Sequence, residues 1–137
     1  MPAAESLSVE DERQLVALMV RYATGIDSRD WPLFRTCFTD DLHADYGVHG
    51  HWSGGDEITQ SMEKMHLQVG KTLHRMSNFV ATPTTTGAAM RTYVDAILRS
   101  LQEGAPTHHA AGYYDDVLIR THDGWKIKQR RFTQLDI

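Results

Sequence analysis

Cysteine is almost absent from this chain, because Cys37 is the only one among 137 residues. A single thiol excludes a disulfide framework within the chain and any zinc cluster built from cysteines. This composition fits a reducing compartment, and we expect the protein to be cytoplasmic.

Long apolar runs are also lacking. The longest run of apolar residues, Leu15 to Val20, is a fraction of the roughly 20 residues that a membrane-spanning helix needs. The segment from Met1 to Leu7 is polar and acidic, unlike a signal peptide. We therefore expect a soluble protein with no membrane partner.

An excess of positive charge is the third feature that the sequence lacks. It has 14 Lys and Arg residues against 18 Asp and Glu residues, and its net charge is −4. Nucleic acid binding needs a concentrated basic surface, so nucleic acid is not an expected partner. The length suits one domain without internal repeats, and we assign 1–8 to a flexible N-terminus and 9–137 to the domain.

Three helices are predicted in the first half. Ser8 and Asp11 resemble a capping box, and apolar residues then recur at helical spacing from Val9 to Ile26. Asp30 suits the N-cap of a short second helix with Pro32 in its first turn, extending over Phe34 and Phe38. A third helix follows from Asp56, with apolar residues Ile58, Met62, Met65 and Val69 on one face.

The second half is typical of long antiparallel strands. A first strand is expected at Leu42 to Val48, before the third helix. Four further segments rich in Thr, Val, Ile, Tyr and Phe are bounded by Pro, Gly or Asp: Lys71–Ala81, Ala88–Leu101, Thr107–Thr121 and Lys126–Leu135. This order predicts an α+β fold in which three helices cover a curved, mostly antiparallel sheet and enclose a pocket.

Asp27 and His74 are the leading candidates for chemistry. Asp27 lies at the predicted end of the first helix, and Asp30 already supplies the cap of the second helix, so Asp27 is free for another role. His74 lies in a strand that alternation divides into one face with His74, Met76, Asn78 and Val80 and another with the intervening residues. A carboxylate that contacts this imidazole would fix its tautomer and make it a general base, although capping and surface roles remain open.

Two tyrosines are candidates for substrate contacts. Tyr22 lies five residues before Asp27, close to the inner face of the first helix, and Tyr46 lies in the predicted first strand. A phenol that faces the pocket could donate a hydrogen bond to a carbonyl or hydroxyl group, while packing in the core is the alternative.

Charged residues on the later strands are auxiliary candidates. Asp95 interrupts an apolar strand, where it forms either a surface ion pair or a second carboxylate in the pocket. His108 and His109 point to opposite faces, so at most one faces the pocket, and parity does not decide which. The adjacent Arg130 and Arg131 pose the same question, and one guanidinium could bind an anionic group or neutralise Asp95.

A metal site is not expected. His43, His49 and His51 cluster with nearby aspartates, but they lie in turn-rich sequence without the spacing of a zinc-binding helix. Nucleotide-binding and serine-hydrolase motifs are lacking as well. We therefore assign no metal and no cofactor.

Several short sequence segments together resemble the SnoaL-like branch of the NTF2-like superfamily, the group that includes scytalone dehydratase and bile-acid 7α-dehydratase. They are Tyr22–Trp31, Leu33–Asp41, His74 and Asp123–Ile127, and the resemblance covers residues 9–135. It implies a cone-shaped fold, commonly a trimer, that eliminates water or halide without a cofactor. It also implies an Asp–His dyad at Asp27 and His74, an assisting tyrosine at Tyr22, and approximate auxiliary positions at Asp95, His109 and Arg131.

From this resemblance we predict a homotrimeric dehydratase, a carbon–oxygen lyase, with a dimer as the alternative assembly. Its substrate would be a small hydrophobic cyclic hydroxy-ketone or a steroid- or polyketide-like compound. The same dyad would also serve a ketosteroid-isomerase-like isomerase or a polyketide cyclase. A noncatalytic cone, like the β subunit of ring-hydroxylating dioxygenases, is the alternative from another class.

Overall fold

The computed structural model describes residues 6–137. Three helices, α1 (Val9–Asp27), α2 (Trp31–Arg35) and α3 (Gly55–His66), pack on a six-stranded sheet. The strands are β1 (Phe38–Asp45), β2 (His51–Ser53), β3 (Val69–Pro83), β4 (Gly87–Ser100), β5 (His108–Thr121) and β6 (Gly124–Leu135). The predicted α+β cone is confirmed. Residues 1–5 of the N-terminal segment that was predicted to be flexible lie outside the described residues.

The sheet has the order β2-β1-β6-β5-β4-β3. All neighbouring strands are antiparallel except β1 and β6, which are parallel. The helices cover its concave face, where α1 packs on β3 and α2. The core consists of the fully buried side chains Leu15, Met19, Phe34, Phe38, Leu42, Ile58, Leu118 and Ile127, among others.

The helix ends follow their sequence signals. Ser8 and Asp11 form the reciprocal capping box, with Asp11 N–H donating to Ser8 Oγ over 2.9 Å. Asp30 caps α2 by accepting from Leu33 N–H. A Cβ on Gly25 would lie 2.9 Å from the backbone of Phe34, so only glycine lets α2 approach the end of α1 this closely.

The first strand begins earlier than predicted. Phe38 opens β1 instead of ending α2, because its backbone pairs with Ile127 of β6 and its side chain is fully buried. The strand ends at Asp45, and Gly47–His49 form a 3-10 turn. Likewise α3 ends at His66, and Val69 belongs to β3.

A β-bulge interrupts the predicted alternation of inward and outward side chains along β3. The pairing with β4 shifts between Ser77 and Val80, and Asn78 adopts a left-handed backbone with φ of 53°. His74 and Met76 lie on the same, inner face of β3, as predicted. Beyond the bulge, however, Phe79 packs on the core and Val80 is exposed. The bulge leaves the face of His74 unchanged.

Candidate active site

Asp27 and His74 contact each other where α1 ends beside β3. Asp27 Oδ1 accepts a hydrogen bond from His74 Nδ1 over 2.7 Å, and Asp27 Oδ2 accepts from the backbone N–H of His74 over 2.7 Å. Thr72 Oγ1 also donates to Asp27 Oδ1 over 2.8 Å. Thr72 and His74 share one face of β3, so a single strand supplies all three donors.

The surroundings keep Asp27 ionised. Burial raises the pKa of this carboxyl group, but the hydrogen bonds donated by His74 and Thr72 outweigh burial, and the resulting pKa lies below its ordinary value. A carboxylate can only accept, so His74 carries its proton on Nδ1 in the neutral ring. Nε2 is therefore left with a free lone pair.

Arg29 supports the dyad from behind. Its backbone is left-handed, with φ of 57°, and this turns the chain back toward β3 directly after α1. The guanidinium donates to the carbonyl of Ile26 over 2.7 Å and to Thr72 Oγ1 over 2.9 Å. Because Thr72 Oγ1 accepts from Arg29, its own hydrogen is directed to Asp27.

The dyad lies at the wall of a cavity of about 230 Å³ that opens to the surface. His74 lines this cavity, whereas Asp27 faces a surface groove between α1 and β3 that His74 also reaches. Apolar side chains make up most of the cavity wall: Ile26, Met62, Met65, Val94, Ala96, Leu98, Ala110 and Phe132. The cavity therefore suits an apolar ring, with polar groups at a few fixed positions.

Three tyrosines supply part of that polar lining. Tyr22 and Tyr46, both predicted as pocket residues, line the cavity and their hydroxyl oxygens lie 2.8 Å apart. Tyr114 donates to the hydroxyl of Tyr22 over 3.4 Å. Two of the three hydroxyl hydrogens serve these internal bonds, so one remains for a ligand.

Burial keeps the three phenols protonated. Burial is the main cause that raises the pKa of Tyr22, Tyr46 and Tyr114 above the ordinary tyrosine value. Each hydroxyl therefore remains a neutral hydrogen-bond donor across the physiological pH range. A cluster of this kind can stabilise negative charge that develops on a ligand oxygen.

A fully buried ion pair supports the tyrosines. Arg130 donates from Nε and Nη2 to the two oxygens of Asp116 over 2.8 Å each, and both side chains have zero exposure. The guanidinium lies 4.4 Å from the ring centre of Tyr22 and 3.8 Å from that of Tyr114. Its Nη1 donates to Tyr46 over 3.4 Å, which places a positive charge directly behind the hydroxyl cluster.

The resemblance placed Asp95 and His109 approximately at this site, but neither side chain lines the cavity, and Asp95 forms the surface ion pair that the sequence also allowed. Asp95 Oδ1 pairs with His109 Nε2, and Asp95 Oδ2 accepts from Arg75 over 3.1 Å on the outer face of the sheet. Both side chains are exposed, at 42% for Asp95 and 60% for His109. His108 is the histidine of β5 that lines the cavity.

Arg131 is also misplaced by the prediction. It is exposed and pairs in register with Asp115, whereas Arg130 points inward. The pairing of β5 and β6 shifts between Ile127 and Gln129, so Lys128 is an extra residue that changes the parity of the strand beyond it. A bulge of this kind cannot be located from alternation alone.

Asp116 and His66 were not expected from the sequence as cavity or supporting residues, and Tyr114 was not distinguished there from the other tyrosines of the strands. On β5 the adjacent pairs His108–His109, Tyr113–Tyr114 and Asp115–Asp116 give both faces the same composition. Either parity therefore predicts an equally plausible inner face. His66 carried a weak signal, since it lies one residue after Met65 of the predicted apolar stripe.

No group of three or more His, Cys, Asp or Glu side chains in residues 6–137 is placed to hold a metal ion. No helix among the described residues is both long enough and apolar enough to cross a membrane.

Comparison with known proteins identifies the family. The model of the SnoaL-like domain matches residues 7–131, nearly the whole chain. The chain belongs to the SnoaL-like family. Uncharacterized proteins of Mycobacterium tuberculosis and Mycobacterium bovis are 25% identical to this SnoaL-like chain over 123 residues, covering 89% of it and 84% of their own length.

Solved structures show the same fold. A candidate scytalone dehydratase from Novosphingobium aromaticivorans has a TM-score of 0.86 at 23% identity, covering 93% of this chain and 86% of the other. A type 2 hexachlorocyclohexane dehydrochlorinase has a TM-score of 0.79 at 17% identity, covering 93% and 90%. Both likenesses show that the SnoaL-like chain shares the fold of these two proteins.

Proposed function

We propose that this SnoaL-like protein is a cofactor-independent dehydratase of a small cyclic hydroxy-ketone. The observation that carries the proposal is His74, whose Nδ1 is bonded to an ionised carboxylate and whose ring lines an apolar cavity together with three phenols. A base and a hydroxyl cluster on one cavity are the two parts that enolate chemistry requires.

The first step would be proton abstraction. His74 Nε2 removes a proton from the carbon between the carbonyl and the hydroxyl-bearing carbon, and the C–H electron pair moves toward the carbonyl oxygen. Asp27 stabilises the imidazolium that forms, because its negative charge lies 2.7 Å from Nδ1. The hydroxyl hydrogen that the tyrosine cluster leaves free binds the enolate oxygen.

The second step would be elimination. The enolate electrons form the carbon–carbon double bond as the bond to the hydroxyl group breaks. The imidazolium of His74 returns its proton to the departing oxygen, so that water leaves and the neutral base is restored. The step needs no oxidant and no other reactant.

The cavity volume limits the substrate. An engineered apolar cavity of about 150 Å³ accepts benzene, so a cavity of 230 Å³ has room for roughly nine non-hydrogen atoms. That supports one ring or a fused pair of rings. Four-ring steroids, part of the substrate class suggested by the sequence, would extend beyond the mouth.

The test uses 3-hydroxycyclohexanone, whose eight non-hydrogen atoms fit this estimate. We expect the wild-type protein to convert it to 2-cyclohexenone, which is followed by the ultraviolet absorbance of the enone and by mass spectrometry. His74→Phe should abolish the conversion. His109→Phe is the matched control, because His109 belongs to an Asp–His pair on the outer face.

The outcomes separate the candidate reactions. A product with the same mass as the substrate would indicate that the dyad catalyses an isomerase or cyclase reaction instead. Equal turnover by wild type and His74→Phe would contradict the dyad mechanism. Absence of turnover with a panel of one- and two-ring hydroxy-ketones would favour a noncatalytic cone. The predicted trimer is a separate proposal, which sedimentation equilibrium would test.

A further inference from the structure

His66 is a second histidine on the wall of the same cavity. It is the last residue of α3 and is partly buried. Its Nδ1 lies 2.7 Å from the carbonyl oxygen of Met62, one turn earlier in the helix. A carbonyl oxygen only accepts, so Nδ1 carries the proton and Nε2 has a free lone pair in the neutral ring.

The ring is held in place on both sides. Trp31 packs against it with ring centres 5.6 Å apart, and the bond to Met62 fixes the orientation of the imidazole relative to α3. Nε2 lies at the edge of the ring away from the helix backbone. Among residues 6–137 it has no hydrogen-bond partner, although the side chain lines the cavity.

His66 and His74 have the same tautomer but different partners. His74 donates to a carboxylate, whereas His66 donates to a neutral carbonyl. Burial lowers the pKa of His66, and the positive charge of Arg29 acts in the same direction. His66 therefore stays neutral at physiological pH and offers an acceptor, while His74 offers a base.

We propose that His66 Nε2 accepts a hydrogen bond from a hydroxyl group on the ligand ring and so selects hydroxylated rings over their hydroxyl-free or capped analogues. The assignment deepens the proposed function, since it rests on the cavity being the substrate site. An acceptor that a bound ligand covers discriminates against ligands that cannot donate, because the unpaired group then loses its hydration without compensation.

Phenol and anisole are the probes, because they differ by a methyl group that removes the donor. Binding to wild type and His66→Phe is measured by ligand titration, with two-bond proton–nitrogen spectra of protein labelled with ¹⁵N-histidine. His109→Phe is the matched control, since His109 pairs with Asp95 on the outer face of the sheet and does not line the cavity.

We expect the spectra to show the Nδ1–H tautomer for His66 and a phenol-dependent shift of its Nε2 resonance that anisole does not produce. The Kd of phenol should rise about 2- to 12-fold in His66→Phe, the range for one neutral hydrogen bond, while the Kd of anisole changes little. His109→Phe should retain the preference for phenol.

An Nε2–H tautomer for His66, a phenol shift confined to His74, or an unchanged phenol preference in His66→Phe would overturn the assignment. These readouts do not require turnover. Failure of the dehydration assay and failure of hydroxyl selection can therefore be told apart.

Discussion

Replacing Asp27 by Asn removes one negative charge and changes little else in volume. The carboxylate accepts three hydrogen bonds, from His74 Nδ1, the backbone N–H of His74 and Thr72 Oγ1. An amide has one oxygen and one NH₂ group, so it cannot satisfy all three donors. In either orientation of the amide, at least one donor faces another donor.

The two orientations have different consequences for the base. If the amide oxygen faces His74 Nδ1, the imidazolium that forms during proton abstraction loses its anionic partner. If the NH₂ group faces Nδ1, the ring must carry its proton on Nε2, and the lone pair no longer faces the cavity. Both outcomes remove general-base function, which contributes about 10²- to 10⁴-fold to rate.

We therefore expect Asp27→Asn to lower kcat for a cyclic hydroxy-ketone by at least about 100-fold. The assay is enone formation at saturating substrate, with urea unfolding to confirm that the variant is folded. Asp95→Asn is the matched control, since Asp95 contacts a histidine on the outer face, and its kcat should stay near the wild-type value. A kcat within a few-fold of wild type for Asp27→Asn would refute the reasoning.

Three further predictions follow from the site and its supports. Tyr22→Phe should lower kcat by about 10²- to 10³-fold, the loss for one oxyanion donor, and should lower the free energy of unfolding by about 0.5–1.5 kcal/mol because the bonds to Tyr46 and Tyr114 are lost; equal kcat values would remove Tyr22 from the mechanism. Arg130→Met leaves Asp116 buried without its partner and should lower the free energy of unfolding in urea by about 3–5 kcal/mol, against less than about 0.5 kcal/mol for exposed Arg131→Met. Hydrogen bonds from the backbone N–H of Ser8 and then from Arg120 lower the pKa of Asp11 to about 2. The stability that this carboxylate gives the folded state is therefore present above its unfolded pKa of about 3.9 and is lost as the pH falls toward 2. Asp11→Asn should flatten the dependence of unfolding free energy on pH in this range, and an unchanged slope would contradict the prediction.

The parts of the fold that could be predicted are those with local signals. Capping at Ser8 and Asp30 and the change from helical to alternating periodicity after Gly70 indicated the α+β order. The start of β1 at Phe38 could not be predicted this way, because a parallel pairing with distant β6 decides it. Tertiary pairing overrode the helix-like spacing of the local apolar residues.

The site shows the same division. The contact between Asp27 and His74 followed from a helix end and a strand position, which a sequence can indicate. The choice between Arg130 and Arg131 depends on a bulge at Lys128, and the choice between His108 and His109 depends on which face of β5 meets the helices. Pairs of identical residues carry no parity information, so only the three-dimensional structure separates them.

The central claim is that His74, oriented by Asp27, removes a proton next to a carbonyl inside the cavity. Exchange of the α-protons of cyclohexanone in D₂O, followed by proton NMR, tests this step without requiring the natural substrate or a leaving group. The account predicts that wild type and His109→Phe accelerate exchange above the buffer rate, whereas His74→Phe does not. Acceleration by His74→Phe equal to that of wild type would contradict it.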